Sequence, residues 1–192
     1  MLENEKNHIQ EAQRGNQESF GLLYGHYLPQ IYRFIFLKVS SQAEAEDLTH
    51  EVFLSAWQNL KNYKYKGFPF SSWLYQIARN ETIDFYRTSK KNIPLENVAE
   101  DKIQLISKTP DQLNAELELE KIKKFLQSLK PDYQEVIIMR FIEELSHEEI
   151  AHTLNKSQGA IRLTQHRALK ELRNLYNEEL KNYGIPLENH EV

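Results

Sequence analysis

Apolar residues recur along this chain every three or four positions, and no stretch of any length alternates at period two. That spacing marks helices that bury one stripe and wet the other. It predicts a first helix over about Asn4–Arg14, a second from near Gln17 to about Val39 with a restart or kink at Pro29, and a third from Ser41 to near Leu60. Ser41 and Glu44 form a capping box for the third, in which a hydroxyl and a carboxylate satisfy the first free amides. Its inner stripe is Ala45, Leu48, Val52 and Ala56. Asp47, His50, Glu51, Leu54 and Gln58 lie outside, so Leu54 is an exposed aliphatic residue ringed by polar ones. A short loop with Gly67 and Pro69, Lys64–Phe70, leads into a helix over Phe70–Arg87. From Thr88 to Gln112 two prolines and the loss of any period mark a linker. Helices resume over about Leu113–Leu129. Pro131, tolerated at a first helical position, opens the next over Asp132–Glu143. Ser146 and Glu149 form a second capping box for a short helix ending at Asn155, and a long helix capped by Ser157 runs to about Asn182. The expected fold is all-α: two small helical domains, 1–88 and 113–192, joined by a flexible linker over 89–112.

The chemistry concentrates in two places. Lys61–Arg87 holds eight aromatic residues interleaved with five cations. Rings stack on exposed bases and cations neutralise phosphates, which is how proteins grip a single strand. At least half of those rings are expected in the core. On the helix, Leu74, Ile77, Ala78, Glu81 and Phe85 share one side, while Trp73, Gln76, Asn80, Asp84 and Arg87 form another stripe. A solvated face rarely carries a Trp, and the preceding loop is suited to wall a pocket for one unstacked base. The second place is Ser146–Arg173. Two short helices meet at a tight break, Asn155-Lys156-Ser157, where Asn155 is placed for a left-handed conformation. In the second of these helices Ile161, Ala168, Leu172 and Leu175 point inward. Arg162, Leu163, His166, Lys170 and Arg173 lie opposite, with Arg167 alongside. Such a helix-turn-helix lays its second helix in the major groove, and Leu163 suits a thymine methyl.

Composition narrows the field. The net charge is −4, yet Lys61–Arg87 and Lys156–Arg173 are basic islands, which implies focused contacts and not a basic coat. There is no cysteine, hence no disulfide and no thiolate zinc site. No apolar run reaches the ~18 residues of a membrane span, and Met1–Gly15 lacks the apolar core of a signal peptide. A cytoplasmic protein without membrane insertion is expected. No catalytic constellation is visible, so neither an enzymatic activity nor a cofactor is expected. His147 and His152 imitate a zinc motif, but five residues apart they diverge on a helix.

The two motifs in this order resemble a bacterial RNA polymerase sigma factor of the extracytoplasmic-function type. The resemblance spans roughly Phe20–Leu180 and is sharpest at Ala45–Trp57, Phe70–Arg87 and Leu145–Arg173. It implies a first domain that binds core polymerase and melts the promoter, and a second that reads the upstream promoter element. By that resemblance Asp47, His50, Glu51 and Leu54 face core polymerase. Lys64, Phe68, Phe70, Trp73, Gln76, Asn80 and Arg87 face single-stranded promoter DNA. Ser157, Arg162, Leu163, His166, Arg167 and Lys170 face the upstream duplex. It also implies an anti-sigma factor as partner. Three features depart from the family pattern: Asn155 stands for the usual Gly of the turn, Lys156 for an apolar residue, and Gln165 lies toward the inner side. A stand-alone helix-turn-helix regulator binding duplex DNA without polymerase is the alternative reading, and a helical adaptor binding only proteins is a third.

Overall fold

The computed structural model describes residues 2–65, 67–92 and 110–182. Among them every regular element is helical. Helix α1 spans Glu5–Gln13, α2 Gln17–Phe36, α3 Gln42–Asn59 and α4 Phe70–Asn92, with a 3-10 turn at Leu60–Asn62 before the loop into α4. The second half holds α5 (Pro110–Ser128), α6 (Pro131–Ile137), a π turn (Ile138–Ile142), α7 (His147–Leu154) and α8 (Gln158–Asn182). Both capping boxes form, at Ser41/Glu44 and Ser146/Glu149. Most of the expected linker, 93–109, lies outside the described residues, as does Lys66 of the expected loop.

Two expectations change. Of the restart or kink expected at Pro29, the restart does not occur: helix α2 runs unbroken through it, the proline removing one amide donor without ending the helix. The expected helix over Asp132–Glu143 instead leaves α-geometry at Ile138 and closes as a π turn.

Leu23, Ile31 and Phe34 of α2, Val52 and Ala56 of α3, and Leu74 and Ala78 of α4 fill the first core. Ile9 and Ala12 seat α1 on this bundle. Val136, Ile138, Met139, Ile150, Ile161 and Ala168 fill the second. The two cores are continuous, because the halves pack directly against each other. Buried backbone carbonyls need partners, and the second half supplies them to the segment that follows α2. Gln134 Nε2 donates to Leu37 O (3.3 Å), Gln127 Nε2 to Val39 O (2.7 Å) and Lys123 Nζ to Ser40 O (3.1 Å).

Charged groups complete the contact. Glu135, 2% exposed, accepts from Lys38 Nζ (2.8 Å) and Arg79 Nε (2.8 Å). Glu143 accepts from Arg33 through Nε (2.7 Å) and Nη2 (2.9 Å), and from the Tyr75 hydroxyl (2.9 Å). The π turn explains how one element aims both carboxylates. Residues eight apart on a regular α-helix diverge by about 80°, and the extra residue of a π turn reduces that to about 20°.

Candidate nucleic-acid and polymerase interfaces

The face expected to meet a single strand is built at the start of α4. Phe70 begins the helix and is fully buried, its ring packed at 5.2 Å from Tyr63 and 5.3 Å from Trp73. It was expected among the strand-contacting residues. The structure corrects this: Phe70 is the floor beneath the site. The phase of the apolar stripe already pointed there, since Phe70, Leu74 and Ala78 fall on one side. Tyr63 is half-buried in the same cluster. Burial, with the charge of Glu5 beside it, pushes its phenol up to about 12.

Above that floor lies a concavity of about 320 Å³, whose walls include Lys64, Phe68, Trp73 and Gln76. Trp73 is half-buried and lines this space; Lys64 is exposed. Asn80 is exposed one turn further along α4. It lines a neighbouring cleft of about 830 Å³ with Phe68 and Gln76. Arg87 sits apart, exposed and paired with Asp84 at 3.1 Å. Lys64, Phe68, Trp73, Gln76 and Asn80 are therefore gathered in one place, and Arg87 is further along the same helix.

The far wall of both concavities belongs to the second half. The His152 ring of α7 stacks on Phe68 with centroids 3.9 Å apart and planes 19° from parallel. Gln76 Nε2 donates to His152 O at 3.2 Å. A flat heterocycle on an aromatic ring, beside an amide, is the arrangement a nucleobase would take.

The outer face of α3 carries Asp47, His50, Glu51 and Leu54, all exposed as expected, Leu54 at 41%. Beside Leu54 an apolar groove of about 360 Å³ opens between α2 and α3, lined by Phe20, Tyr24, His50, Phe53 and Trp57. Phe20 packs tilted against Trp57 (4.8 Å) and Tyr24 edge-on against Phe53 (4.7 Å). Sequence reasoning missed Phe20 and Tyr24, although they stand four apart on α2. An exposed groove of paired rings rimmed by charge suits a protein partner.

The second half presents α8. Arg162, Leu163, His166, Arg167 and Lys170 are all exposed, while Ile161 and Ala168 are buried. Ser157 Oγ caps the helix by accepting from Ala160 N (3.2 Å). Asn155 takes the left-handed conformation (φ 52°, ψ 47°), and the next amide closes the α7 end by donating to Ala151 O (2.9 Å). The other two departures also have structural roles. Lys156 pairs with Asp132 of α6 and ties down the turn. Gln165 bonds His147 (2.7 Å), fixing α8 to the start of α7. No described helix is long and apolar enough to cross a membrane.

Comparison with known proteins follows this division. The Sigma-70 region 2 family matches residues 23–92 and the Sigma-70, region 4 family residues 125–174. The ECF RNA polymerase sigma factor BldN of Streptomyces coelicolor is 32% identical over 174 residues, covering 90% of this chain and 66% of BldN, just under two thirds. SigW of Bacillus subtilis, also an ECF RNA polymerase sigma factor, is 30% identical over 88% of this chain and 94% of its own length. Among solved structures, the sigma factor RpoE of Bartonella quintana in complex with the anti-sigma factor NepR matches with a TM-score of 0.65 at 25% identity, over 83% of this chain and 98% of that one. CnrH, solved with the cytosolic domain of CnrY, shares the fold at a TM-score of 0.72 and 24% identity, over 91% of this chain and 97% of CnrH.

Proposed function

The chain belongs to the ECF-type RNA polymerase sigma factors, and from that premise we propose how its surfaces divide the work. Residues 1–88 bind core polymerase and hold the melted promoter strand. Residues 113–192 read the upstream element as duplex, and 89–112 join them. The chain carries out no reaction of its own; it gives direction to polymerase in the cytoplasm.

Leu54, with the Phe20–Tyr24–Trp57 groove beside it, anchors core polymerase, rimmed by Asp47, His50 and Glu51. Phe68, Trp73, Gln76 and Asn80 hold an unstacked base of the promoter, with Lys64 and Arg87 on its phosphates. Ser157, Arg162, Leu163, His166, Arg167 and Lys170 face the upstream duplex. The observation that carries this reading is the pairing, in one chain, of a ring-and-amide concavity on α4 with an exposed cationic α8. A stand-alone duplex binder has no use for the first of these.

In the arrangement described, α7 occupies the strand site: His152 and a captured base cannot both lie on the same face of Phe68. Loading onto promoter DNA therefore requires the halves to part. The Bartonella relative was solved with an anti-sigma factor; we propose that this chain, too, is held inactive by an inhibitor protein.

Transcription in a purified system tests the reading. A cognate promoter should be transcribed only when the chain and core polymerase are both present. Asn80→Ala should slow promoter melting about tenfold, as expected when one hydrogen-bonded base contact is lost, with core affinity unchanged. Equal loss of both would remove Asn80 from the strand site. Arg162→Ala should weaken upstream-element binding by the holoenzyme by about 1–3 kcal/mol. Tight duplex binding by the free chain, independent of polymerase, would favour the stand-alone regulator instead.

A further inference from the structure

Helix α1 has no part in the reading above, yet it reaches both ends of the base-holding loop. Near its C-terminus, Gln13 Nε2 donates to Leu60 O (3.0 Å) and Tyr63 O (2.9 Å), where the loop begins. Near its N-terminus, Glu5 accepts from Phe70 N (3.1 Å), where the loop ends, and from the Tyr27 hydroxyl. Between them Lys6 Nζ lies 4.4 Å from the centroid of the Tyr65 ring. Glu5 and Gln13 are about 12 Å apart along the helix axis.

Local chemistry does not require this arrangement. Helix N-termini are ordinarily capped by a Ser, Thr, Asp or Asn just before them. Pro69 stands there before α4 and has no side-chain acceptor. The first amide of α4 is satisfied from 65 residues away, by a carboxylate only 6% exposed. A buried carboxylate needs hydrogen-bond partners, and each oxygen of Glu5 has one, both supplied by groups of the strand-binding domain. The loop turns at Gly67, with φ at 86°, and Phe68 follows directly.

We propose that α1 is a strut that fixes the two ends of the loop before α4, and with them Phe68, for base capture, with Glu5 and Gln13 as positioning residues. The proposal rests on the reading of that loop as a base-holding wall. Gln13 sets the first end of the loop and Glu5 the second. Phe68 is thereby held at the height where a base stacks on it, without α1 touching DNA.

Gln13→Glu is the sharpest test, because it keeps the shape and turns two donated bonds into repulsion of two carbonyls. Gln13→Ala serves if that variant does not fold. Three measurements are made on the full chain. Tryptic cleavage after Lys64 in the free chain reads the strut without DNA, and it should accelerate several-fold. Affinity of the holoenzyme for a fork oligonucleotide bearing the unpaired promoter strand should fall about tenfold. Affinities for core polymerase and for upstream duplex should stay within twofold. In a Phe68→Ala background the Gln13 substitution should cost no further strand affinity, because it acts through that ring. Glu5→Ala should repeat the pattern, with Glu5→Gln restoring it.

Unchanged cleavage overturns the strut. Faster cleavage with intact strand affinity, where Phe68→Ala does weaken binding, overturns the positioning role. Equal losses of strand and core affinity mean that α1 only stabilises the domain, which also overturns the proposal. If Phe68→Ala itself leaves strand affinity intact, the base-holding reading falls, and the proposal with it.

Discussion

Glu81 sits on α4 beside α3, and burial raises its carboxyl above the usual range, with Asp84 and Glu51 adding like charge. The folded protein thus holds that proton more tightly than the unfolded chain does. Stability is fully retained below the ordinary carboxylate pKa of about 4.3. It falls as pH rises through the raised value and stays reduced above it. Glu81→Gln removes the loss, so thermal melts should show a small rise in Tm at pH 7 that disappears near pH 4, where both forms are neutral. An equal rise at both pH values would mean that the gain comes from packing. At this scale the sequence was a fair guide. Helical phase placed Asp47, His50, Glu51 and Leu54 outside and Ala45, Leu48 and Val52 inside, as the structure has them. Residue type alone failed to separate Phe70 from Phe68, because a ring is equally at home in a core and under a base; phase marks Phe70 as core, while Phe68, ahead of the helix, has no phase to read.

The turn between α7 and α8 shows what a whole element asks of one residue. Asn155 adopts φ 52°, a region most side chains enter only at a cost of about 1–2 kcal/mol. Asn155→Ala should therefore lower stability by about 1 kcal/mol, and Asn155→Gly should hold or raise it. Chemical denaturation of both variants checks this. If Ala is neutral, the turn relaxes to another shape, and upstream-element binding should change with it. The helix-turn-helix was legible because its signals are local: a capping box, a residue tolerant of left-handed backbone and an amphipathic period. The π turn at Ile138–Ile142 was not legible. Its sequence, IMRFI, reads as ordinary buried helix, and its reason lies in partners that sequence places about a hundred residues away.

Those partners decide the state of the whole molecule. Lys38 is 4% exposed, and burial pulls its ammonium below the usual lysine range against the attraction of Glu135. Charge composition predicts none of this, since Lys38, Arg79 and Glu135 read individually as solvated residues. Removing one partner from a buried ion pair costs about 3–5 kcal/mol, because the other charge is left without water or counterion. In Glu135→Ala the cheapest relief for Lys38 is for the halves to part and let water in. The chain has no native cysteine, so a donor and an acceptor dye on Ala43→Cys and Glu178→Cys, both exposed, report the separation directly. Transfer efficiency should drop in Glu135→Ala, and the free chain should bind an unpaired promoter strand more tightly as His152 leaves Phe68. His152→Ala should improve strand binding while transfer efficiency stays high, because it frees the site without breaking the ion pairs. Replacing the whole group by apolar residues, Lys38→Met and Arg79→Leu with Glu135→Leu, should close the halves again, since buried ion pairs and triads are often matched by packed hydrocarbon. If Glu135→Ala leaves transfer efficiency unchanged, the apolar seam and the carbonyl caps at Leu37, Val39 and Ser40 hold the halves without it. Opening would then need a partner that competes for those carbonyls, and not one that competes for charge.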